Sequence, residues 1–361
     1  MARSWIRWTP AVVAVIVVAG VAVAVPATAS ASVSLPTKSP TQVLELVANS
    51  KVTAFSGTVE ETTDLGLPSL PAGSVPSSDK SGDAADLALL TGPNSLRVYV
   101  DGKSKVRVQD LESLAERDVI RNGSDVWVYD SKDNSVTHST MTSRQHFARP
   151  GATPQAVSPD PTSATPSGLA TKLIAELKTS STVSVDSSLR VAGRPSYDLV
   201  LTPKVTDTLI GSVSIAVDAQ TGLPLQVQIS ARGQKTPAVS IGFSSLDLST
   251  PAASLFAFTP PTGAKVTQVT PHEGTPGTPA TRPAKPAETV TGHGWDAVVS
   301  LAAAGSLSKL SQSAEFGELT TAVASGRLLH TSLFNILFTT DGRVVAGSVS
   351  VARLEEVAST Q

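Results

Sequence analysis

The chain lacks cysteine altogether, and this absence excludes several classes of protein. Without a thiol it cannot be a disulfide scaffold, a thiol enzyme, a cysteine-ligated metalloprotein or a diacylglyceryl lipoprotein, whose lipid is attached through cysteine. Aromatic residues are scarce, at 4%, and the formal net charge is only −2. Because so small a charge gives no broad basic surface, nucleic acid is not a predicted partner. Abundant Val, Ala, Ser, Thr, Gly and Pro favour short strands joined by many turns.

Catalytic and metal-binding motifs are also missing from the sequence. The five histidines lie far apart, and none of them forms a His-x-x-x-His pair that would suggest zinc. Gly102-Lys103-Ser104 looks like the end of a P-loop, but Arg97 stands where the first glycine belongs. No Gly-x-Ser-x-Gly elbow indicates a hydrolase. The sequence therefore predicts a protein that is not an enzyme, with no metal and no cofactor.

The first residues have the pattern of an export signal. Arg3 and Arg7 precede an apolar run from Thr9 to Val25, and small residues with the spacing of a cleavage site follow at 27–31. We therefore predict a signal peptide over residues 1–31, with an uncleaved N-terminal anchor as the alternative. Either outcome places the rest of the chain outside the cytoplasm, in the cell envelope or secreted.

The sequence after the signal predicts helices and strands in a recognisable order. Ser39, Pro40 and Gln42 have the spacing of a capping box at the start of a short helix. A second helix is predicted over 167–178, and Asn122-Gly123 is a strong signal for a hairpin turn. Five strands are predicted in succession over 183–191, 196–202, 211–218, 225–231 and 238–243. Their alternation of apolar and polar residues is typical of an antiparallel sheet with one wet face.

Proline-rich segments divide the chain. Residues 66–93 and 149–166 are predicted as long surface loops, and residues 269–290 as a stiff linker. The linker separates a main domain, over 38–268, from a small C-terminal module over 291–361. Within that module we predict helices around 295–304 and 316–324, a hairpin and a short amphipathic turn. Its expected core is formed by Leu333, Ile336, Val345, Val349 and Trp295.

Several motifs of the main domain occur in an order that resembles a known family. They are Gly123-Ser-Asp-Val-Trp-Val-Tyr-Asp, Tyr197-Asp-Leu-Val-Leu-Thr-Pro, Val217-Asp-Ala-Gln-Thr-Gly-Leu-Pro-Leu-Gln-Val and Phe256-Ala-Phe-Thr-Pro-Pro. In sequence and spacing they resemble the LolA/LolB/RseB family of lipid- and lipoprotein-binding proteins, over about residues 40–268. No position matches the arginine that gates the lid of the carrier proteins, and simple carriers have no C-terminal module.

The resemblance implies an α+β fold that is mainly antiparallel β. Its core is an open half-barrel of about eleven strands with short lid helices, to which a small C-terminal α+β module is added here. The implied ligand is the acyl chain of a lipid or lipoprotein, held in an apolar cavity. The candidate lining residues are Trp127, Tyr129, Tyr197, Leu199, Leu201, Val213, Ile215, Val217, Leu225, Val227 and Ile229. For Trp127 and Tyr129, ordinary core packing is an equally open interpretation.

Three hypotheses of function follow from this reasoning. The first is an exported protein that binds acyl chains for transport or sensing. The second is an RseB-like regulator, which the resemblance would pair with an anti-sigma factor or another membrane-bound protein. The third is an envelope interaction module whose interior is filled by its own side chains and holds no lipid.

Overall fold

The structure is a computed structural model that describes residues 34–67, 94–112, 115–140, 165–269, 288–302 and 314–360. The predicted signal peptide lies outside these residues, as do most of the two predicted proline-rich loops and most of the predicted linker. The described residues from Leu35 onward belong to one compact unit. None of the described helices is long and apolar enough to cross a membrane.

A twelve-stranded sheet forms most of the described structure. Its strands are β1 (Ala54–Thr63), β2 (Asn94–Asp101), β3 (Lys105–Glu112), β4 (Ala115–Asn122), β5 (Asp125–Asp130), β6 (Ser135–Thr140), β7 (Ser181–Val191), β8 (Arg194–Pro203), β9 (Ile210–Asp218), β10 (Pro224–Ala231), β11 (Val239–Asp247) and β12 (Lys265–Val269). The spatial order is β12-β6-β5-β4-β3-β2-β1-β11-β10-β9-β8-β7. Every neighbouring pair is antiparallel except β12 and β6, which run parallel. The predicted antiparallel architecture is confirmed.

The sheet is curled rather than flat. Its edge strand β7 approaches β11, which lies four places away in the sheet order. Irregular pairing occurs in β1 at Thr58/Val59, in β10 at Pro224/Gln226 and in β7 between Asp186 and Leu189. Because bulges increase local twist and bend the strand that carries them, they account for much of this curvature. The result is the open half-barrel predicted from the sequence.

Two short helices cover one face of the curled sheet. Helix α1 (Pro40–Ala48) begins with the predicted capping box: the Gln42 backbone N–H donates to the Ser39 hydroxyl at 3.3 Å, and the Ser39 N–H donates to the Gln42 side chain at 2.8 Å. Helix α2 (Pro166–Leu177) is capped by the Thr165 hydroxyl, which accepts from the Gly168 N–H at 3.1 Å. These caps satisfy N–H groups that the first helical turn leaves free.

The C-terminal residues form a second, smaller sheet. Its strands are β13 (Glu288–Thr291), β14 (Val298–Ala302), β15 (Thr321–Val323), β16 (Gly326–His330), β17 (Asn335–Thr339) and β18 (Arg343–Gly347), in the order β13-β14-β18-β17-β16-β15. Helix α3 (Ala314–Leu319) precedes β15, and helix α4 (Val351–Thr360) packs on the sheet. The module therefore has the predicted α+β character.

Several details predicted for this module are wrong. Residues 298–302, expected within a helix, form strand β14, because Val298 and Val299 are β-branched and pair with β13 on one side and β18 on the other. The predicted C-terminal turn, Leu354–Val357, is the middle of the ten-residue helix α4 (Val351–Thr360). Val345 and Val349 do lie in the module core, but Leu333 packs against Leu65 of the half-barrel segment. Trp295 does not lie in the module core either, because its side chain packs against residues of the half-barrel.

Candidate ligand-binding face

The structure brings most of the predicted lining residues together on one face of β8, β9 and β10. We call this set the apolar face: Tyr197, Leu199, Leu201, Val213, Ile215, Val217 and Val227. They lie side by side because cross-strand pairing aligns Leu199 with Ile215, and Ile215 with Val227. Each is at most 4% exposed. Period-two alternation in three neighbouring strands thus produces a continuous hydrocarbon surface.

The protein's own side chains cover the apolar face. Val43 of α1 and Ala170 of α2 are fully buried against it, and further apolar side chains of both helices pack around them. The Tyr197 hydroxyl donates to the Pro36 carbonyl at 3.0 Å and thereby fastens the segment that precedes α1. The third covering element is Trp295, which is 4% exposed. The cover thus consists of two short helices and one inserted side chain.

The two remaining candidates on these strands lie at the margin. Ile229 is partly buried and packs against the apolar face. Leu225 is fully buried in a different cluster, together with Phe55, Val98 and Phe243. Leu225 lies at the register shift between Pro224 and Gln226, where its strand has no paired partner for it on β9.

Trp127 and Tyr129 lie on the opposite, outer face of the sheet. Residues paired directly across neighbouring strands point to the same side of the sheet. Followed strand by strand through β11 and β1, this pairing places Val126 of β5 on the same side as the apolar face. Trp127, the next residue, pairs with Ile120 and points to the other side. Phe258 packs on both aromatic rings, with centroid distances of 5.5 and 5.9 Å. His138 stacks on Trp127 at 3.8 Å. The pair is therefore separated from the other candidates by the thickness of the sheet.

The segment after β11 crosses this outer face. The single-turn 3-10 helix Ala253–Phe256 lies over β3 and β4, and the Phe256 side chain is 1% exposed. The chain then passes Phe258 and enters β12 beside β6. The motif Phe256-Ala-Phe-Thr-Pro-Pro is thus a strap that covers the outer aromatic side chains, and not a closing strand of the sheet.

A buried ion pair holds the strap to the sheet. Arg107 on β3 is paired with Asp118 on β4, whose side chain is 2% exposed, and Arg107 also donates to the Leu255 carbonyl at 3.2 Å. Burial raises the pKa of Asp118 above its ordinary value of 3.8, although Arg107 lowers it. The guanidinium therefore compensates a carboxylate that would otherwise be buried without a counter-charge.

We expect Arg107→Met to destabilise the protein by about 3–5 kcal/mol, the usual cost of leaving one buried charge without its partner. Because the pKa of Asp118 is raised in the folded state, protonation of its carboxyl group stabilises the folded protein. This stabilisation is lost as pH rises through the folded-state pKa. The destabilisation should therefore shrink as pH is lowered towards the ordinary value of 3.8. Urea unfolding of both proteins across this pH range measures it.

The matched control is the double variant Arg107→Met/Asp118→Leu. It removes both charges and keeps similar volumes, so it should recover most of the lost stability. If the double variant is as unstable as the single one at neutral pH, the loss comes from packing of the strap and not from an unpaired carboxylate.

A second buried carboxylate organises the β9–β10 turn. Asp218, 1% exposed, pairs with Arg194 and accepts hydrogen bonds from the backbone N–H groups of Gln220 and Thr221 at 2.8 and 2.7 Å. Burial raises the pKa of Asp218, but the hydrogen bonds from Arg194 and from the turn outweigh it, so the net pKa is lowered. The motif Asp218-Ala-Gln-Thr-Gly-Leu-Pro is thus a turn whose conformation is held by hydrogen bonds to the Asp218 carboxylate. This turn joins β9 and β10 at the end of the apolar face.

Two open grooves lie away from the apolar face. One, of about 520 Å³, runs between the end of α1, the start of β1 and the β9–β10 turn, and includes Asn49, Lys51 and Thr221. The other, of about 300 Å³, lies on β1, β2 and β11 and includes Arg97 and Tyr99. Both are lined mainly by polar residues, unlike the surface an acyl chain would require. Within the described part of the chain, no group of three or more His, Asp or Glu side chains could hold a metal ion.

The contacts between the C-terminal module and the half-barrel are not predicted from the sequence. The Ser348 carbonyl accepts from the Leu209 N–H and from the Thr208 hydroxyl, both at 2.8 Å. The Ser332 N–H donates to the Leu65 carbonyl at 2.9 Å. Trp295 reaches the apolar face itself. A tryptophan directly after the turn Gly292-His293-Gly294 was the signal available, since so large a side chain needs a surface to cover it.

One known domain family is similar to part of this chain. Residues 93–256 match the MucB/RseB N-terminal domain. No curated protein sequence matches the chain. Among solved structures, the Pseudomonas aeruginosa MucA/MucB complex is similar with 16% identity and a TM-score of 0.45, over 88% of this chain and 96% of that chain.

Two further solved structures cover less of this chain. An uncharacterised conserved protein of Thermus thermophilus has 11% identity and a TM-score of 0.35, over 63% of this chain and 98% of its own. A LolA superfamily protein of Nitrosomonas europaea has 12% identity and a TM-score of 0.23, over 62% and 99%. The family match spans β2–β11 of the half-barrel, and it confirms the resemblance predicted from the sequence: residues 93–256 of this chain are similar to the MucB/RseB N-terminal domain.

Proposed function

We propose that this chain is an exported, non-enzymatic binding protein that takes up acyl chains of a lipid or lipoprotein, for transport or sensing in the cell envelope. The observation that carries the proposal is the apolar face, a set of seven buried residues on three adjacent strands. Among the described residues, two short helices and one indole cover it, where a permanent core would more often be closed by a second sheet or by long helices.

The energetics favour exchange of the cover for an acyl chain. Burial of a methylene group contributes about 0.8 kcal/mol, so a single acyl chain offers roughly 10 kcal/mol before ordering costs. Removal of a buried tryptophan side chain costs about 3–5 kcal/mol in typical cores. The gross gain from one acyl chain thus exceeds the cost of displacing one large covering side chain, before the costs of association, and it needs no charged anchor or catalytic group.

Lipid extraction tests this proposal directly. The full chain is purified from cells that export it and extracted with organic solvent, and the extract is analysed by mass spectrometry. We expect an acylated species at close to one equivalent. A blank extract, repeated after incubation with phosphatidylethanolamine and phosphatidylglycerol vesicles, would favour an interaction module whose core is filled by its own side chains.

A matched pair of variants localises the ligand. Val213→Phe enlarges a side chain on the apolar face and should reduce the amount of bound lipid. Trp127→Ala changes the outer face and should leave it unchanged, because Trp127 packs with Phe258 and His138 on the far side of the sheet. Equal loss in both variants would place the ligand elsewhere.

A second candidate function is that of an RseB-like regulator with an anti-sigma factor or another membrane-bound protein as partner. The match to the MucB/RseB N-terminal domain supports it, as does the docked C-terminal module, which reaches the apolar face through Trp295. A carrier needs no such module.

Calorimetric titration distinguishes the regulator from the carrier. The extracytoplasmic part of a candidate anti-sigma factor is titrated into delipidated and into lipid-loaded protein. A carrier gives no heat of binding in either state.

A further inference from the structure

Trp295 belongs to the C-terminal module by sequence but to the half-barrel by contact. It lies between β13 and β14, in the single-turn 3-10 helix Gly294–Asp296. Its indole is 4% exposed and packs in the same cluster as Leu199, Leu201 and Ala170. A residue that flanks the second sheet thus fills space over the apolar face of the first.

The indole N–H is bonded as well as buried. It donates to the Ser181 hydroxyl at 2.9 Å, and that hydroxyl donates to the Leu177 carbonyl at the end of α2 at 2.7 Å. A buried indole N–H without an acceptor would be costly, so this chain of bonds stabilises the inserted position. It also joins the indole to the start of β7 and the end of α2, both of which border the apolar face.

The segment that carries Trp295 has the construction of a short movable arm. Gly292 and Gly294 have φ values of +87° and +63°, and Asp296 accepts from the His293 N–H at 3.0 Å, which keeps the turn together as a unit. Contacts between the module and the half-barrel at Ser348, Ser332 and Leu333 do not involve this arm. Withdrawal of the arm would leave these contacts in place.

We propose that Trp295 is a plug of the acyl-chain site, so that the indole and an acyl chain occupy the same space over the apolar face in turn. This inference rests on the proposed function and adds its regulation. The site is closed when the Gly292–Asp296 arm is inserted and open when the arm leaves. The ligand class is an unbranched hydrocarbon chain, because the space that the indole vacates is bordered by leucine, valine and alanine side chains. Any partner that draws the arm outward would thereby open the site.

Because the chain has no native cysteine, an engineered disulfide can be used to hold the arm in its inserted position. A Cβ atom built at Gly294 would lie 3.4 Å from the Ser180 Cβ, close to the Cβ–Cβ separation of about 3.5–4.5 Å found in disulfides. The double variant Gly294→Cys/Ser180→Cys, oxidised, should hold the arm in place. Titration with cis-parinaric acid, followed by its fluorescence, should show at least tenfold weaker binding than the same protein after reduction.

Two variants complete the test. Trp295→Ala in the full chain should bind cis-parinaric acid about tenfold or more tightly than the unmodified protein, because the plug is gone. Trp127→Ala removes a tryptophan from the outer face and should bind like the unmodified protein. If Trp295→Ala fails to fold, as judged by circular dichroism, the reducible disulfide variant still decides the question.

The outcomes separate the plug from the proposed function. If the unmodified protein binds the probe and the oxidised disulfide variant binds it equally well, the plug is overturned while acyl binding stands. If neither the unmodified protein, the reduced disulfide variant nor a folded Trp295→Ala variant binds the probe, acyl binding itself fails and the plug fails with it.

Discussion

Replacing Gly222 by alanine should lower the free energy of unfolding by about 2–5 kcal/mol, the sum of left-handed backbone strain and steric overpacking. Gly222 has a φ of +73°, and a Cβ at this position would lie 2.1 Å from the Leu46 carbonyl oxygen in α1. Either the β9–β10 turn or the end of α1 must move. Urea unfolding measures the loss, and hydrogen exchange of the α1 amides shows whether the helix has separated from the sheet.

Gly233→Ala is the matched control for this prediction. Gly233 also has a positive φ, +80°, but no atom of the described residues lies within 4 Å of the position that a Cβ would take there. It should therefore show only the backbone part of the effect, about 1–2 kcal/mol. Equal losses in the two variants, with unchanged exchange in α1, would mean that the close approach of Leu46 costs nothing.

The second large effect is expected for Asp218→Ala, which should destabilise the fold by about 3–5 kcal/mol. The substitution leaves the half-buried Arg194 without its carboxylate and removes the acceptor for two backbone N–H groups of the turn. Because the pKa of Asp218 is lowered in the folded state, its contribution is present above the ordinary value of 3.8 and disappears as pH falls through the lowered pKa. The stability difference from the unmodified protein should narrow in acid.

Asp247→Ala provides the comparison for Asp218. The pKa of Asp247 is also lowered, by hydrogen bonds from Ser249, but this carboxylate is exposed to solvent. Its removal should change stability little at any pH. A pH-independent loss for Asp218→Ala would contradict the role of its charge and leave only turn geometry as the cause.

Local chemistry makes much of the half-barrel predictable. The capping box of Ser39 and Gln42, the Asn122-Gly123 turn and the alternation in β9 and β10 are each specified by a few adjacent residues. Period-two alternation also identifies the seven residues of the apolar face, because neighbouring antiparallel strands place their apolar sides together.

Long-range choices are not predictable in the same way. Trp127 alternates as well as Leu199 does, but alternation cannot tell which side of a sheet faces the helices. The packing of Leu225 with Phe55 and Phe243 depends on strands distant in the sequence, and the insertion of Trp295 depends on a contact between separate sheets. The sequence of strand β14 predicts a helix wrongly, because Val-Val-Ser-Leu-Ala suits either conformation until a partner strand is known.

The pairing of β1 with β11, which we call the central seam of the large sheet, has a consequence for the order in which the protein folds. Strand β1 pairs with β11, and the bond between the Thr58 N–H and the Ser245 hydroxyl joins residues 187 positions apart. The meanders β2–β6 and β7–β11 contain only neighbouring hairpins and can form early, whereas the seam must wait until both are present. A chain emerging from its N-terminus would keep the edge of β1 that faces β11 unpaired for most of its synthesis. Slow closure of this seam, with an exposed strand edge in the meantime, makes it the step at which misfolding and aggregation compete most directly with folding.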